Sequence, residues 1–227
     1  MARAVNQAAI ALFDPIARDY ERWATVLSLG QDPRWRAEMV ARLGLREGAR
    51  VLDVAAGTGA IARLVAERGC EVVMLDQSAE MLRHARSRGL PAVRASAERL
   101  PFPDRSFDAL TFSYLLRYVA DPLACMCELA RVLRPGAPIG MVEFGRPRGA
   151  WGAAWLLYTR AMLPAAGTLI APGWRHVGSF LGPSIDGLHR RFPGDELSAL
   201  WRAAGLVEVR AVRRSLGGGL LMWGRRP

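Results

Sequence analysis

Residues 51–59 read Val-Leu-Asp-Val-Ala-Ala-Gly-Thr-Gly, a short apolar run that ends in two closely spaced glycines. A buried strand over 50–54 that turns at once into a helix needs backbone freedom at the turn. Gly57 and Gly59 supply it and let the main chain come close to a ligand. A second strand over 71–76 ends at Asp76, seventeen residues beyond Gly59. A carboxylate there can accept hydrogen bonds from two ribose hydroxyls. Strand, glycine turn, helix, strand and acid together read as a nucleoside-cofactor site. Dinucleotide sites use the longer G-x-G-x-x-G pattern, whose glycines cradle a pyrophosphate. Here Arg63 or Leu64 stands where further glycine would help, and Asp53 would repel a pyrophosphate while suiting a cationic amino-acid moiety.

From residue 50 onward, short apolar runs alternate with amphipathic stretches, the pattern of a parallel sheet wrapped by helices. Helices are expected over 60–68, stopped by Gly69, and after Ser78, with Glu80 in the first turn and Gly89 at the end. Asp121-Pro122 marks another start, an acceptor at the N-cap and proline at N1, and that helix ends near Leu133 before Pro135-Gly136. Further strands are expected over 92–95, 107–113 and 139–144, and a helix over 195–204. The runs 206–212 and 218–224 follow with no helix between them, so one strand should be antiparallel. The expected fold is α/β and Rossmann-like, a single domain with a seven-stranded, mostly parallel sheet. It divides into a helical N-terminal cap (1–48), a cofactor-binding half (49–145), a lid insertion (146–192) and a C-terminal helix with strands (193–227). Cap and insertion are expected to cover the sheet's carboxyl edge, where open α/β sheets bind ligands.

Composition narrows the partners. Of the 227 residues 51% are apolar, which excludes disorder, and the net charge is +10 with every cation an arginine. Lysine nucleophiles and Schiff-base chemistry are therefore excluded. The arginines are scattered rather than interleaved with aromatics, so no nucleic acid is expected. The N-terminus has no basic-then-apolar export pattern, and Arg160, Pro164 and Pro172 interrupt the least charged stretch, 149–174. A cytoplasmic protein with reduced thiols at Cys70, Cys125 and Cys127 is the expectation. Cys125 and Cys127 lie two apart on a helix, so they diverge, and no metal site is expected.

The D-x-A-x-G-T-G segment at 53–59 resembles the first motif of class I methyltransferases. Ser96-Ala97-Glu98 with Leu100-Pro101-Phe102 resembles the segment bordering adenine in those enzymes, and Arg131–Gly136 the turn before their fifth strand. The resemblance implies S-adenosyl-L-methionine as cofactor. Its contacts would be Asp53, Ala55, Gly57, Thr58, Gly59, Asp76, Gln77, Met81, Ser96, Ala97 and Ser113. The serine hydroxyl at 96 is shorter than the Asp or Asn more usual there, so the Ala97 backbone would serve the adenine instead.

Other segments are similar to the ubiquinone/menaquinone C-methyltransferase family over residues 12–224. They include Phe13-Asp14, Ile16-Ala17, Tyr20, Leu27-Ser28 and Trp35-Arg36 near the start, and Ser113–Val119 after the fourth strand. Glu143-Phe144, Tyr158, Met162-Leu163-Pro164, Ser184-Ile185, Phe192-Pro193 and Gly217-Gly218 continue the match in order. The resemblance implies carbon methylation of a polyprenylated quinol. Arg117 would stabilise the phenolate, Tyr20 would bond the ring oxygen or share a proton relay, and His176 is the candidate base. Each has a plainer reading, Arg117 as the ion-pair partner of Glu143 and His176 as a polar loop residue. Trp151, Trp155 and Tyr158 share one helical face, by default a packing stripe and otherwise a wall for an isoprenoid tail or a membrane contact.

Tyr118 stands where the family usually has asparagine, and residues 171–180, with Trp174, Arg175 and His176, also depart from it. Both point to a reshaped acceptor pocket and keep a second reading open, a different small phenolic acceptor. A nicotinamide dehydrogenase and a non-catalytic binding protein are weaker rivals. Expected partners are a lipophilic quinol and an anionic membrane surface touched peripherally. A homodimer is left open.

Overall fold

Seven apolar runs pair into one sheet in the computed structural model, which describes residues 2–87 and 89–227 and leaves aside the side chains of 2–6 and 8. The strands are β1 (Arg50–Val54), β2 (Glu71–Asp76), β3 (Ala92–Arg94), β4 (Ala109–Ser113), β5 (Pro138–Phe144), β6 (Val207–Arg214) and β7 (Gly219–Arg225). Their order across the sheet is β3-β2-β1-β4-β5-β7-β6. β1 to β5 pair in parallel, and β7 runs antiparallel to both β5 and β6. The hairpin turn at Ser215–Gly217 is too short for a crossover, so reversal of β7 is forced.

Side chains alternate across the strands and build a core on each face. Leu52 and Val54 join Phe107, Phe112, Leu129 and Trp201 on one side. Val51 joins Met39, Ile61, Val65 and Val142 on the other. Helices α3 (Gln31–Arg42), α4 (Ala60–Ala66) and α5 (Ala79–Arg86) cover the second face, and α6 (Pro122–Arg131) and α10 (Glu196–Ala203) the first. Local chemistry starts them where expected. The Ser78 hydroxyl accepts from Met81 N at 2.9 Å, and Asp121 accepts from Leu123 N and Ala124 N at 3.0 Å each.

The N-terminal segment forms α1 (Ala2–Phe13), a 3₁₀ stretch at Asp14–Asp19 and α2 (Tyr20–Leu27). The insertion forms α7 (Ala150–Leu157), a π turn at Tyr158–Met162, α8 (Leu163–Ile170) and α9 (Pro172–Arg191). Pro164 cannot donate to the carbonyl four residues back, and the helix widens just before it, with Leu163 N bonding Tyr158 O. A third apolar cluster of Ile16, Trp174 and Val177, flanked by Phe13 and Tyr20, joins the two segments to each other. No described helix is long and apolar enough to cross a membrane.

Two glycines let α8 and α9 meet backbone to backbone. A Cβ on Gly178 would stand 2.6 Å from the Leu163 carbonyl oxygen, and one on Gly167 would stand 2.3 Å from that of Trp174. Gly178→Ala should therefore splay the helix pair and cost about 1–3 kcal/mol in a urea melt followed by circular dichroism. A wild-type midpoint would show that the helices tolerate separation.

Candidate active site

Strand order reverses between β1 and β4, so the loops beyond their carboxyl ends diverge and leave a crevice. A cavity of about 120 Å³ lies there, lined by the turn 55–58, by Asp76, Gln77, Ser78 and Met81 after β2, by 95–97 after β3 and by Ser113 to Leu115 after β4. The Asp76 carboxylate organises its floor. Its Oδ2 accepts from Gly57 N at 2.8 Å and its Oδ1 from Ser78 N at 2.9 Å, fixing the glycine turn to the end of β2. Burial raises the Asp76 pKa, and those two backbone donors oppose the rise.

The N-terminal segment closes this cavity from above. Ile10, Phe13 and Tyr20 line it, and two acids strap the segment down. The Thr58 hydroxyl donates to Glu21 Oε1 at 2.6 Å, and that of Ser78 to Asp14 Oδ1 at 2.5 Å.

A second cavity, of about 480 Å³, adjoins the first. Phe13, Tyr20 and Tyr114 line both, so they form the wall between. The remaining lining is mostly apolar, including Leu27, Trp35, Phe144, Trp151, Trp155, Tyr158, Leu163 and Trp174. Arg117 is the cation in this lining and Asp32 the carboxylate. The Arg117 side chain is 2% exposed, and its Nε donates to Glu143 Oε1 at 3.0 Å while Nη1 donates to Ser184 Oγ at 3.2 Å. The rings of Tyr118, Phe144 and Tyr114 lie 5.0, 5.5 and 5.6 Å from its Cζ. Burial, the largest single influence, would lower the guanidinium pKa, but the charge and hydrogen bond of Glu143 together with Tyr118 and Tyr114 outweigh it, and the group stays cationic. Tyr20 stacks on Trp174 at 6.2 Å, and burial pushes its hydroxyl up to about 12.

Sequence reasoning passed over the polar cluster joining the two cavities. Arg36 Nε donates to both oxygens of Asp32, at 3.0 and 2.8 Å, and Nη1 donates to Ser113 Oγ at 3.1 Å. The Tyr114 hydroxyl donates to Asp32 Oδ1 at 2.5 Å. Arg36 stood out only as part of the Trp35-Arg36 match, and its i, i+4 spacing from Asp32 is on most helices the mark of a solvated surface pair. Here both residues are buried, because α3 turns this face inward beneath α2.

Several expected residues sit elsewhere. His176 is exposed, and it lines neither cavity, because the inward face of α9 carries Trp174 and Val177 on either side of it. It cannot serve as the base from there. Asp53 lies beneath the turn, 1% exposed and outside the cavity lining. Its Oδ1 accepts from Thr111 Oγ1 at 2.8 Å, and its Oδ2 has no partner among the described residues. Gly59 also stands off the lining, and at φ 86° it provides the left-handed step into α4. Tyr118 faces the first cavity, packed against Phe180 and Phe13, so it does not reshape the second. Trp151, Trp155 and Tyr158 wall the second cavity instead of filling a core. Ala55, Gly57, Thr58, Asp76, Gln77, Met81, Ser96, Ala97 and Ser113 all line the first.

A sequence profile of the ubiE/COQ5 methyltransferase family matches residues 1–224. The chain belongs to that family. The demethylmenaquinone methyltransferase of Mycobacterium sp. (strain KMS) is 40% identical over 213 residues, covering 93% of this chain and 90% of that one. The enzyme of the same name from Renibacterium salmoninarum is 37% identical over 215 residues, covering 93% and 88%. Among solved structures, an S-adenosylmethionine-dependent methyltransferase of Thermotoga maritima superposes with a TM-score of 0.67 at 21% identity, covering 96% of this chain and 99% of that one. Haemonchus contortus phosphoethanolamine N-methyltransferase 2, in complex with S-adenosyl-L-methionine, gives 0.61 at 13% identity, covering 86% and 52%. The family member described here is an S-adenosylmethionine-dependent methyltransferase with the class I fold.

Asp53 yields a test of the electrostatics beneath the turn. Burial pushes its carboxyl up to about 7, with the Thr111 hydrogen bond and Arg36 pulling the other way. A carboxyl raised in the folded state contributes stability that is fully present below its unfolded value, about 4. That contribution is lost as pH rises through about 7. In the ligand-free protein, carboxyl ¹³C NMR should place its midpoint near neutrality, and Asp53→Asn should flatten the fall in stability between those limits. A midpoint at or below the ordinary aspartate value would contradict this.

Proposed function

We propose that this enzyme transfers a methyl group from S-adenosyl-L-methionine to a ring carbon of a demethylated menaquinol. One observation carries the reading: a nucleoside-type cavity and a large apolar cavity share a thin aromatic wall, with the cation Arg117 set into the apolar one. The residues fit the donor. Asp76 offers its carboxylate to ribose hydroxyls, while Met81, Leu75 and Ala97 form an apolar slot for a base. S-adenosyl-L-methionine supplies an electrophilic methyl on sulfonium sulfur. The relatives' names point to a quinol as acceptor.

The chain's own groups account for the rest of the chemistry. Methylation at carbon needs the neighbouring phenol to give its proton to water, so that its oxygen carries negative charge; the ring C–H proton then passes to water as the ring regains aromaticity, and S-adenosyl-L-homocysteine leaves. Arg117 lies in the cavity wall, held by Glu143 and Ser184, so it meets that charge without reorganising. It stays charged and acts as an oxyanion stabiliser rather than a base. Tyr20, its hydroxyl pushed up to about 12, keeps its proton at neutral pH and can donate to the ring oxygen. Trp155 and Tyr158 give the cavity an apolar wall, a low-dielectric surrounding that strengthens both interactions. Leu29, Trp151 and Leu216 are 79%, 56% and 63% exposed while also lining the cavity, an apolar exit for an isoprenoid tail toward a membrane surface. Tyr118 lies on the cofactor side, while Trp174 of the altered stretch 171–180 walls the acceptor cavity and keeps a different small phenolic acceptor as the second reading.

Incubation with a demethylated menaquinol, with a demethylated ubiquinol and with simple phenols, each beside S-adenosyl-L-methionine, tests the reading by mass spectrometry. Methylated menaquinol should dominate, and methylation of the simple phenols alone would overturn it. Asp76→Ala should weaken calorimetric affinity for S-adenosyl-L-methionine by about a hundredfold. Arg117→Lys keeps an amine opposite Glu143 but loses the planar fork and, in so apolar a wall, part of the charge. It should cut kcat at least about tenfold with donor affinity unchanged, and equal losses in both would assign Arg117 a purely structural role.

A further inference from the structure

Arg36 is the cation lining the first cavity among the described residues. It is 6% exposed, its Nε is committed to Asp32 and its Nη1 to Ser113, while Nη2 makes no hydrogen bond among the described residues. Strand order gives the cavity two ends. Residues 95–97 follow β3 at one end and Ser113 follows β4 at the other, with Asp76 between them at the end of β2. A nucleoside whose ribose meets Asp76 and whose base lies toward Ala97 directs its 5′ substituent toward Ser113 and Arg36. A carboxylate carried there leaves water, and a buried anion needs a cation with a free donor.

We propose that Arg36 recognises the α-carboxylate of the methyl donor and that Asp32 is its positioning residue, an assignment that rests on the donor reading above. The guanidinium is preorganised, because Asp32 holds it through Nε, Ser113 holds it through Nη1 and the Tyr114 ring lies 5.3 Å from its Cζ. Asp32 in turn lines the acceptor cavity and accepts from the Tyr114 hydroxyl. One buried ion pair thus touches both cavities, and occupation of the donor end bears directly on a group that faces the acceptor.

Calorimetry with three probes tests this: S-adenosyl-L-methionine, its decarboxylated analogue, and 5′-methylthioadenosine, which lacks the amino-acid moiety. The wild type should prefer the carboxylate-bearing ligand over its decarboxylated analogue by about tenfold to a hundredfold. Arg36→Met combined with Asp32→Asn removes both charges, so no lone ion is left buried. That variant should bind the two within about threefold of each other while keeping wild-type affinity for 5′-methylthioadenosine. Asp32→Asn alone should lower the preference part-way, and Arg36→Lys should restore some of it relative to the double variant. If the double variant fails to fold, the wild-type ratio and Arg36→Lys carry the test. Equal wild-type affinity for S-adenosyl-L-methionine and its analogue overturns the proposal, as does a double variant that weakens all three probes alike. No wild-type affinity for S-adenosyl-L-methionine at all would overturn the donor reading and this assignment with it.

Discussion

Reversal of strand order between β1 and β4 leaves a crevice over the sheet that neither flanking helix layer can fill. Everything outside the sheet answers to that gap. Asp76 holds the glycine turn at its edge through two backbone donors. The N-terminal segment and the insertion roof it over, joined by Ile16, Trp174 and Val177. Because the roof is built from two segments distant in sequence, the space beneath it divides naturally. The N-terminal helices cap the nucleoside end, and α7 to α9 wall the apolar end.

The crevice also concentrates backbone strain and buried charge. Ala55 after β1 and Tyr114 after β4 both adopt left-handed backbone, at φ 53° and 57°, where a side chain costs about 1–3 kcal/mol. Both line the first cavity, and Tyr114 also faces the second. Beside them lie the pairs Arg36–Asp32 and Arg117–Glu143, with little solvent access on either side. Such pairs add little net stability against apolar replacements, but removing one partner is expensive. Their placement around the shared wall is better understood as preorganisation, charge fixed in position before either ligand arrives.

The strands, their order of appearance and the reversed β7 were legible because each run has a length, a period and turn residues that admit few alternatives. The placement of Gly57 and Asp76 at one cavity was legible for the same reason, since a turn closing one strand and an acid closing its neighbour are fixed by strand ends. What the sequence concealed was orientation on long helices. His176 and Trp174 lie two residues apart on α9, yet only Trp174 points inward, and a one-dimensional pattern rich in arginine and glycine does not say which face turns in. Asp32 and Arg36 were hidden by the reverse error, because a pair that normally marks a wet helix face is buried here. Asp53 was placed in the site by adjacency to the turn, while strand alternation sends its carboxylate below it.

Arginine at 117 follows from its surroundings more than from charge alone. Three aromatic rings enclose the guanidinium, and two oxygens, on Glu143 and Ser184, take different nitrogens of the fork. A lysine ammonium is more strongly hydrated, offers no planar face to the rings and would be partly neutralised in so apolar a wall. Only a weakly hydrated, planar cation stays charged at that depth while leaving an edge toward the cavity. In the proposed reaction, the apolar surroundings that would admit an isoprenoid-bearing acceptor are the same surroundings that would strengthen the pull of Arg117 on a phenolate. Capacity for a greasy substrate and stabilisation of its anion then become one design constraint, met by fixing the cation in the wall of the apolar cavity.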